Sequence, residues 1–149
     1  MTVCIQSILL LLAANLIAAD APKQDSTKKD IERIQGTWKL VSLEADGDQG
    51  PPEIVAKLKL VFKGEALTFT PGEPGFSNYT FKLDTSAKPP RFDMTFAEGP
   101  NKGKKLPGIY SLEGESLKIC FGPADQHPKE LTAKAKSGQV MYVLKREKP

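Results

Sequence analysis

The chain has 149 residues, of which 40% are hydrophobic and 26% are charged, and its formal net charge is +3. This length supports one domain with a single hydrophobic core, and the composition excludes a disordered tail, a collagen-like repeat and a polytopic membrane protein. Because there are only one His and two Cys, a multi-ligand zinc site and a disulfide framework are also disfavoured. The lysines are spread along the chain, so the sequence lacks the basic stripe that nucleic-acid binding requires.

The first 21 residues have the pattern of a secretory signal peptide. Their apolar run is shorter than the ~20 residues that a membrane-spanning helix needs, and Ala19 and Ala21 fit the small-residue pattern of a cleavage site. Cleavage after Ala19 is a close alternative. Since no Lys or Arg precedes the run, an uncleaved amphiphilic anchor is a second alternative. We expect residues 1–21 to be removed and the mature chain to be secreted or to reside in the periplasm or cell envelope, with no stable membrane insertion.

Two short helices are predicted near the start of the mature chain. Residues 22–30 are interpreted as a polar lead-in and the beginning of the first helix, which is predicted over residues 27–36. Ile31 and Ile34 lie one turn apart on one face of this helix. The second helix is predicted over residues 52–57, because proline is favoured in the first turn of a helix.

From Trp38 onward the hydrophobic pattern changes to a period of two, and about eight short strands follow. Each strand has one apolar and one polar face, and hairpin-length turns connect them, which indicates an antiparallel meander. A flat sheet of this kind would expose its apolar face and two edges, whereas a closed barrel buries the face and removes the edges. Residues 31–149 are therefore predicted to form an all-β, up-and-down barrel of about eight antiparallel strands.

The predicted inner face of the barrel is almost wholly apolar. Eight strands enclose an interior that side chains fill, or that holds one small ligand. The inner face carries no pair of carboxylates, and no basic residue except near its end. The residues predicted to line a ligand are Trp38, Phe62, Phe69, Tyr79, Phe81, Phe92, Met94, Tyr110 and Tyr142.

Gly36-Thr37-Trp38, a Gly-x-Trp motif that enters the first strand, resembles the opening motif of lipocalin and calycin barrels. In those proteins the Trp plugs the closed end, and a basic side chain near the end of the last strand packs across it. The resemblance implies a barrel-closing pair of Trp38 and Arg146. By strand alternation Arg146 shares a face with Tyr142, and a guanidinium over an indole is a favourable contact.

A longer series of motifs resembles an uncharacterised lipocalin-like domain of exported planctomycete proteins. The resemblance covers residues 31–146 and implies a calycin-type barrel and a bacterial source, but no established activity. The motifs that carry it are LKL at 58–60, FKG at 62–64, LDTSAKPP at 83–90, EGPNKGK at 98–104, GIY at 108–110, LKICF at 117–121 and YVLKR at 142–146.

The start of the first strand is also similar to that of cytosolic fatty-acid-binding proteins. Those proteins hold the ligand carboxylate with an Arg-x-Tyr pair in the final strand. Here the residue two positions before Tyr142 is Val140, so a buried carboxylate would lack a charged partner, which is costly. A fatty-acid carrier of that type is disfavoured.

No constellation in the sequence predicts catalysis. The single His, His127, lies in a predicted loop without a Ser or Cys motif beside it, and Cys120 lies in a strand, as a structural thiol does. Asp93 and Glu98 fall on outward or loop positions, which gives no support for hydrolysis by paired carboxylates. We therefore expect the protein not to be an enzyme and to need no cofactor or metal, and a small hydrolase is the least favoured function.

Two non-catalytic functions remain open. The first is an exported barrel that binds a small apolar or amphipathic ligand, which the apolar inner face favours. The alternative is a structural or protein-interaction module of the cell envelope that has a filled core and uses loops 71–77, 84–90 and 98–107. The sequence identifies neither the ligand nor a protein partner.

Overall fold

The computed structural model describes residues 21–70, 78–123 and 125–149, with side chains from Asp25 onward. The predicted signal peptide, apart from its last residue, and the predicted interaction loop 71–77 lie outside the described residues. The elements are α1 (Ala21–Ile34), β1 (Gly36–Ala45), β2 (Asp48–Gln49), α2 (Pro52–Lys57), β3 (Lys59–Lys63), β4 (Ala66–Phe69), β5 (Asn78–Asp84), β6 (Arg91–Phe96), β7 (Lys105–Glu113), β8 (Ser116–Phe121) and β9 (Val140–Arg146).

Eight of the strands form a closed antiparallel barrel. Strands β1 and β3 to β9 pair in chain order, and β9 pairs with β1 to close the ring. The predicted all-β, eight-stranded, up-and-down barrel with two short helices is therefore confirmed. The short strand β2 pairs with β1 alone among the described strands. It lies in the turn-rich stretch after β1, where its two residues give no alternation for sequence analysis to detect.

The first helix begins earlier than the sequence predicts. α1 spans Ala21–Ile34 rather than residues 27–36, so the helix already includes the first residues of the predicted polar lead-in. Pro22 is the second residue of the helix, where a missing N–H costs no hydrogen bond. One turn further on, an ion pair between Lys29 and Asp25 at 3.1 Å joins residues four positions apart on the helix.

A register shift in β1 changes which of its residues face inward. Regular alternation places Ser42 on the inner face, but the pairing with β9 shifts between Leu40 and Ser42. Beyond this irregularity Leu43 lies opposite Tyr142 and packs against the core. Val41, at the shift, is left 47% exposed. An extra residue in one strand has this effect because it reverses the alternation that follows.

The long connection between β8 and β9 crosses the outer face of the barrel, and we call its described residues, 122–123 and 125–139, the strap. Ile109 and Cys120 lie opposite each other on the outer faces of β7 and β8, and both are nevertheless buried. The Cys120 thiol donates a hydrogen bond to the carbonyl of Thr132 at 3.3 Å, and Ala133 is also buried. The strap therefore covers this part of the wall, and burial raises the pKa of the Cys120 thiol.

Candidate functional site

One end of the barrel is closed by Trp38. Its indole is fully buried, and Nε1 donates a hydrogen bond to the carbonyl of Ile34, in the last turn of α1, at 2.7 Å. The guanidinium carbon of Arg146 lies 4.3 Å from the centroid of the indole ring. The two residues are paired across β1 and β9, so the barrel-closing pair that the resemblance implies is in contact.

Arg146 also binds the carboxyl end of α1. One guanidinium nitrogen donates to the carbonyl of Gln35 at 2.7 Å, and the other donates to the carbonyl of Arg33. These carbonyls lie at the end of the helix, where they lack partners within it and carry partial negative charge. Gly36 follows with a φ of +108°, and a Cβ there would lie 3.3 Å from the guanidinium. The glycine of the Gly-x-Trp motif thus allows the chain to turn under Arg146.

A second polar contact fixes α1 to the barrel wall. The hydroxyl of Tyr110 donates a hydrogen bond to Asp30 Oδ2 at 2.7 Å. Burial, reinforced by this hydrogen bond, raises the pKa of Tyr110, so the phenol remains neutral. Sequence analysis places Tyr110 among the ligand-lining residues, but its hydroxyl already has a partner in the closed end.

The interior next to the closed end is filled by aromatic rings. Phe81 and Phe92 stack with their centroids 5.6 Å apart, and Phe62 packs edge-on against them at 5.1 Å and 6.2 Å respectively. Both arrangements are favourable for aromatic pairs. Of the nine residues predicted to line a ligand, five belong to this packed half and do not line the cavity described next: Trp38, Phe62, Phe81, Phe92 and Tyr110.

The opposite half of the barrel contains a cavity of about 380 Å³. Four of the predicted residues line it: Phe69, Tyr79, Met94 and Tyr142. Sequence analysis did not assign the other seven to the site: Leu43, Ile54, Leu58, Leu106, Phe121, Gly122 and Val140. Regular alternation places Leu43 on the outer face, and the register shift in β1 turns it inward. Ile54 belongs to α2, whose position over the barrel is not encoded by any local pattern.

The described residues that line the cavity include no acidic or basic side chain. Val140 occupies the position where the fatty-acid-binding proteins that the first strand resembles carry an arginine. Tyr79 and Tyr142 supply the polar side-chain atoms, and both rings pack against Phe69, with centroid distances of 5.2 Å and 6.0 Å. Burial, together with the neighbouring Tyr79, raises the pKa of Tyr142. The cavity is thus apolar, uncharged and provided with two phenol groups.

The outer face carries an interaction that sequence analysis did not find. Nε2 of His127, in the strap, lies 2.6 Å from Oδ1 of Asp93 on β6. Clefts of about 370 Å³ and 320 Å³ lie on either side of His127. Lys129 lines both clefts, and Lys88 lines the smaller one. The sequence does not reveal this pairing, because His127 and Asp93 lie 34 positions apart.

Within the part of the chain that the structure describes, no group of three or more His, Cys, Asp or Glu side chains could hold a metal ion. No helix among the described residues combines the length and the hydrophobicity that crossing a membrane requires. Comparisons with family models, with curated proteins and with solved structures find no match to this chain.

Proposed function

We propose that the protein is a non-catalytic barrel that binds a small, uncharged apolar or amphipathic ligand in the cavity at its open end. The observation that carries the proposal is the cavity of about 380 Å³, whose lining, over the residues that the structure describes, contains no Asp, Glu, Lys, Arg or His. Ligand sites in proteins are typically concave, mostly apolar and about 300–1,000 Å³ in volume. The cavity meets each of these criteria.

The charge of the ligand follows from the same lining. A carboxylate placed between Val140 and Tyr142 would lose its hydration without gaining a cationic partner, and an ammonium group would find no anionic one. In either case, burying the unpaired ion would cost roughly several kcal/mol. The ligand is therefore neutral at the pH at which it binds.

We further propose that the protein is exported and belongs with the lipocalin-like domains of planctomycete bacteria. The arrangement at the closed end supports this relationship, because the Gly36-Thr37-Trp38 motif enters the first strand there and Arg146 packs across the indole. Export rests on the signal-peptide pattern of residues 1–21.

The alternative is a structural or protein-interaction module. The packed half of the barrel favours it, since this half leaves no room for a ligand beside Phe62, Phe81 and Phe92. Exposed lysines in the predicted interaction loops 84–90 and 98–107 would then contact the partner. This alternative predicts that filling the open-end cavity has no functional consequence.

The test is a titration with N-phenyl-1-naphthylamine, a neutral probe whose fluorescence rises in apolar sites. We expect saturable binding to the wild-type protein. Leu106 lines the cavity, so Leu106→Trp should fill it and weaken binding by about tenfold or more, equivalent to ~1.4 kcal/mol. The matched control is Leu112→Trp, because Leu112 lies on the same strand and packs against the core without lining the cavity.

Retention of wild-type binding by Leu112→Trp together with its loss in Leu106→Trp would support the proposal. Absence of saturable binding to the folded wild-type protein would contradict it and favour the interaction module. Equal binding by the two variants would show that the probe occupies another surface, and would also contradict the assignment of the cavity.

A further inference from the structure

Among the described residues that line the cavity, the two tyrosine hydroxyls are the only side-chain oxygen or nitrogen atoms. Every other lining residue presents carbon, the thioether of Met94 or backbone. A ligand that is oriented by a hydrogen bond to one of these side chains must therefore bind Tyr79 or Tyr142.

The two tyrosines reach the cavity from opposite walls. β5, which carries Tyr79, and β9, which carries Tyr142, lie four strands apart in the ring of eight. Their rings nevertheless contact the same side chain, Phe69, and Phe121 packs against Tyr142 with a centroid distance of 6.0 Å. The phenols therefore converge over Phe69 instead of pointing out of the barrel on separate sides.

Neither hydroxyl makes a hydrogen bond to any residue that the structure describes. The third tyrosine differs, because Tyr110 donates to Asp30 at 2.7 Å. Among the described residues, moreover, no side-chain oxygen or nitrogen is sealed from solvent without a partner. The hydroxyls of Tyr79 and Tyr142 consequently keep accessible surface, and both residues line the cavity.

From this arrangement we propose that Tyr142, assisted by Tyr79, hydrogen-bonds a single uncharged oxygen of the ligand, a hydroxyl or carbonyl group, while the apolar body of the ligand fills the rest of the cavity. The inference rests on the proposed function and specifies its ligand class. A pure hydrocarbon would cover the two hydroxyls without giving them a partner, which forfeits hydrogen bonds that water otherwise supplies. A carboxylate would lack a cation.

The protonation state of the phenol agrees with this ligand class. Because burial raises the pKa of Tyr142, its hydroxyl remains protonated at neutral pH and is able both to donate and to accept a hydrogen bond. A neutral alcohol, phenol or ketone is satisfied by such a group.

The mouth of the cavity suits the apolar part of the ligand. Ile54 on α2 lines the cavity and is 43% exposed, so it presents apolar surface both to solvent and to the interior. Leu43 and Leu58 continue the apolar lining next to α2. An amphipathic ligand therefore meets hydrocarbon at the mouth and the two phenols within.

The test compares three ligands of one shape: 2-naphthol, naphthalene and 2-naphthoate, each displacing N-phenyl-1-naphthylamine. We expect wild-type protein to bind 2-naphthol about threefold to tenfold more tightly than naphthalene, the range that one net hydrogen bond provides, and to bind 2-naphthoate most weakly. Tyr142→Phe should remove most of the preference for 2-naphthol over naphthalene, and the double variant Tyr79→Phe/Tyr142→Phe should remove all of it.

Tyr110→Phe is the matched control, because it deletes a tyrosine hydroxyl that does not line the cavity and should leave the preference unchanged. Equal affinity of wild-type protein for 2-naphthol and naphthalene would overturn the inference while leaving the proposed function intact. The same holds if the double variant keeps the preference. Tightest binding of 2-naphthoate would overturn both the inference and the uncharged ligand class of the proposed function. Failure of every ligand and of the probe to bind would instead overturn the proposed function, and the inference with it.

Discussion

The two short helices lie at opposite ends of the barrel and differ in how they are attached. α1 buries Ile34 completely and is held by Trp38, Arg146 and Tyr110 through hydrogen bonds to its backbone or to Asp30. α2 has no buried residue, and no side chain caps its amino end. A helix held by several directed contacts seals its end of the barrel, whereas a helix without them leaves the interior accessible.

The same contrast appears in the interior. Next to α1, stacked and edge-on phenyl rings fill the space between the strands, and the polar atoms are paired. Next to α2, the rings of Phe69, Tyr79 and Tyr142 surround a cavity, and two hydroxyls have no partner among the described residues. We infer that the closed half supplies most of the stability of the domain and that the open half supplies its binding capacity.

The largest effect should come from removing the indole at the closed end. Trp38→Ala leaves a cavity against α1 and deletes the hydrogen bond to Ile34, so we expect a loss of about 3–5 kcal/mol in the free energy of unfolding, measured in urea. The control at the other end is Ile54→Ala, which truncates an exposed side chain and should change stability by about 0.5 kcal/mol or less. A loss below about 1 kcal/mol for Trp38→Ala would contradict the assignment of stability to the closed half.

An intermediate effect is expected from Arg146→Lys. Lysine keeps the charge but lacks the planar fork that donates to the carbonyls of Arg33 and Gln35 while covering the indole. We expect a loss of about 1–3 kcal/mol, the cost of leaving such groups without a partner, measured by urea unfolding followed through the fluorescence of Trp38. Lys145→Arg, on the exposed neighbouring position, is the control. Equal stability of the two variants would show that the guanidinium of Arg146 does not hold α1 in place.

Ligand affinity should depend on the open half of the barrel rather than on the closed half. Trp38 and Arg146 lie outside the cavity, so folded variants at these positions should still bind the neutral probe. The residues whose substitution affects binding most, Leu106 and Tyr142, should affect stability less.

The extent to which the sequence predicts this molecule differs between the two halves. The closed half is predictable because its determinants are local: a period of two in each strand and a Gly-x-Trp motif at the start of β1. The open half depends on distant segments, since α2 covers the mouth and the shift in β1 brings Leu43 inward. The sequence thus indicates the inner face but not which part of it is hollow.

The start of α1 was missed for a different reason. Residues 22–26 are polar and have no apolar face of their own, so periodicity gives no helical signal there. In the structure the hydroxyls of Ser26 and Thr27 both lie 2.7 Å from Thr85 Oγ1, beyond the end of β5. Contacts with the barrel, which the sequence does not reveal, accompany the helical conformation of this segment.

The strap connects the outer face to the open half. Its first residue, Gly122, lines the cavity, as does Val140, the first residue of β9. Between them His127 holds the strap to β6 through Asp93, at 2.6 Å. The segment has little regular structure, and its ends are held by hydrogen bonds of Gly122 to Pro107 and of Gly138 and Gln139 to Asp46. Between these ends, the contact with Asp93 and the packing over Cys120 hold it against the wall. Loosening the strap should therefore affect the open half before the closed half.

The smallest predicted effect concerns this anchor. His127→Ala removes a partly exposed polar contact worth about 0.5–1.5 kcal/mol, so it should lower the urea midpoint less than Arg146→Lys does. Local opening of the strap should nevertheless become more frequent, and Cys120 should react about twofold to tenfold faster with a thiol reagent, since ~1 kcal/mol corresponds to about a fivefold change in an opening equilibrium. The measurement is made in a Cys4→Ser background so that Cys120 is the single thiol, with Lys129→Ala as the control for an exposed side chain of the strap. An unchanged labelling rate for Cys120 would mean that the contact with Asp93 does not control opening of the strap.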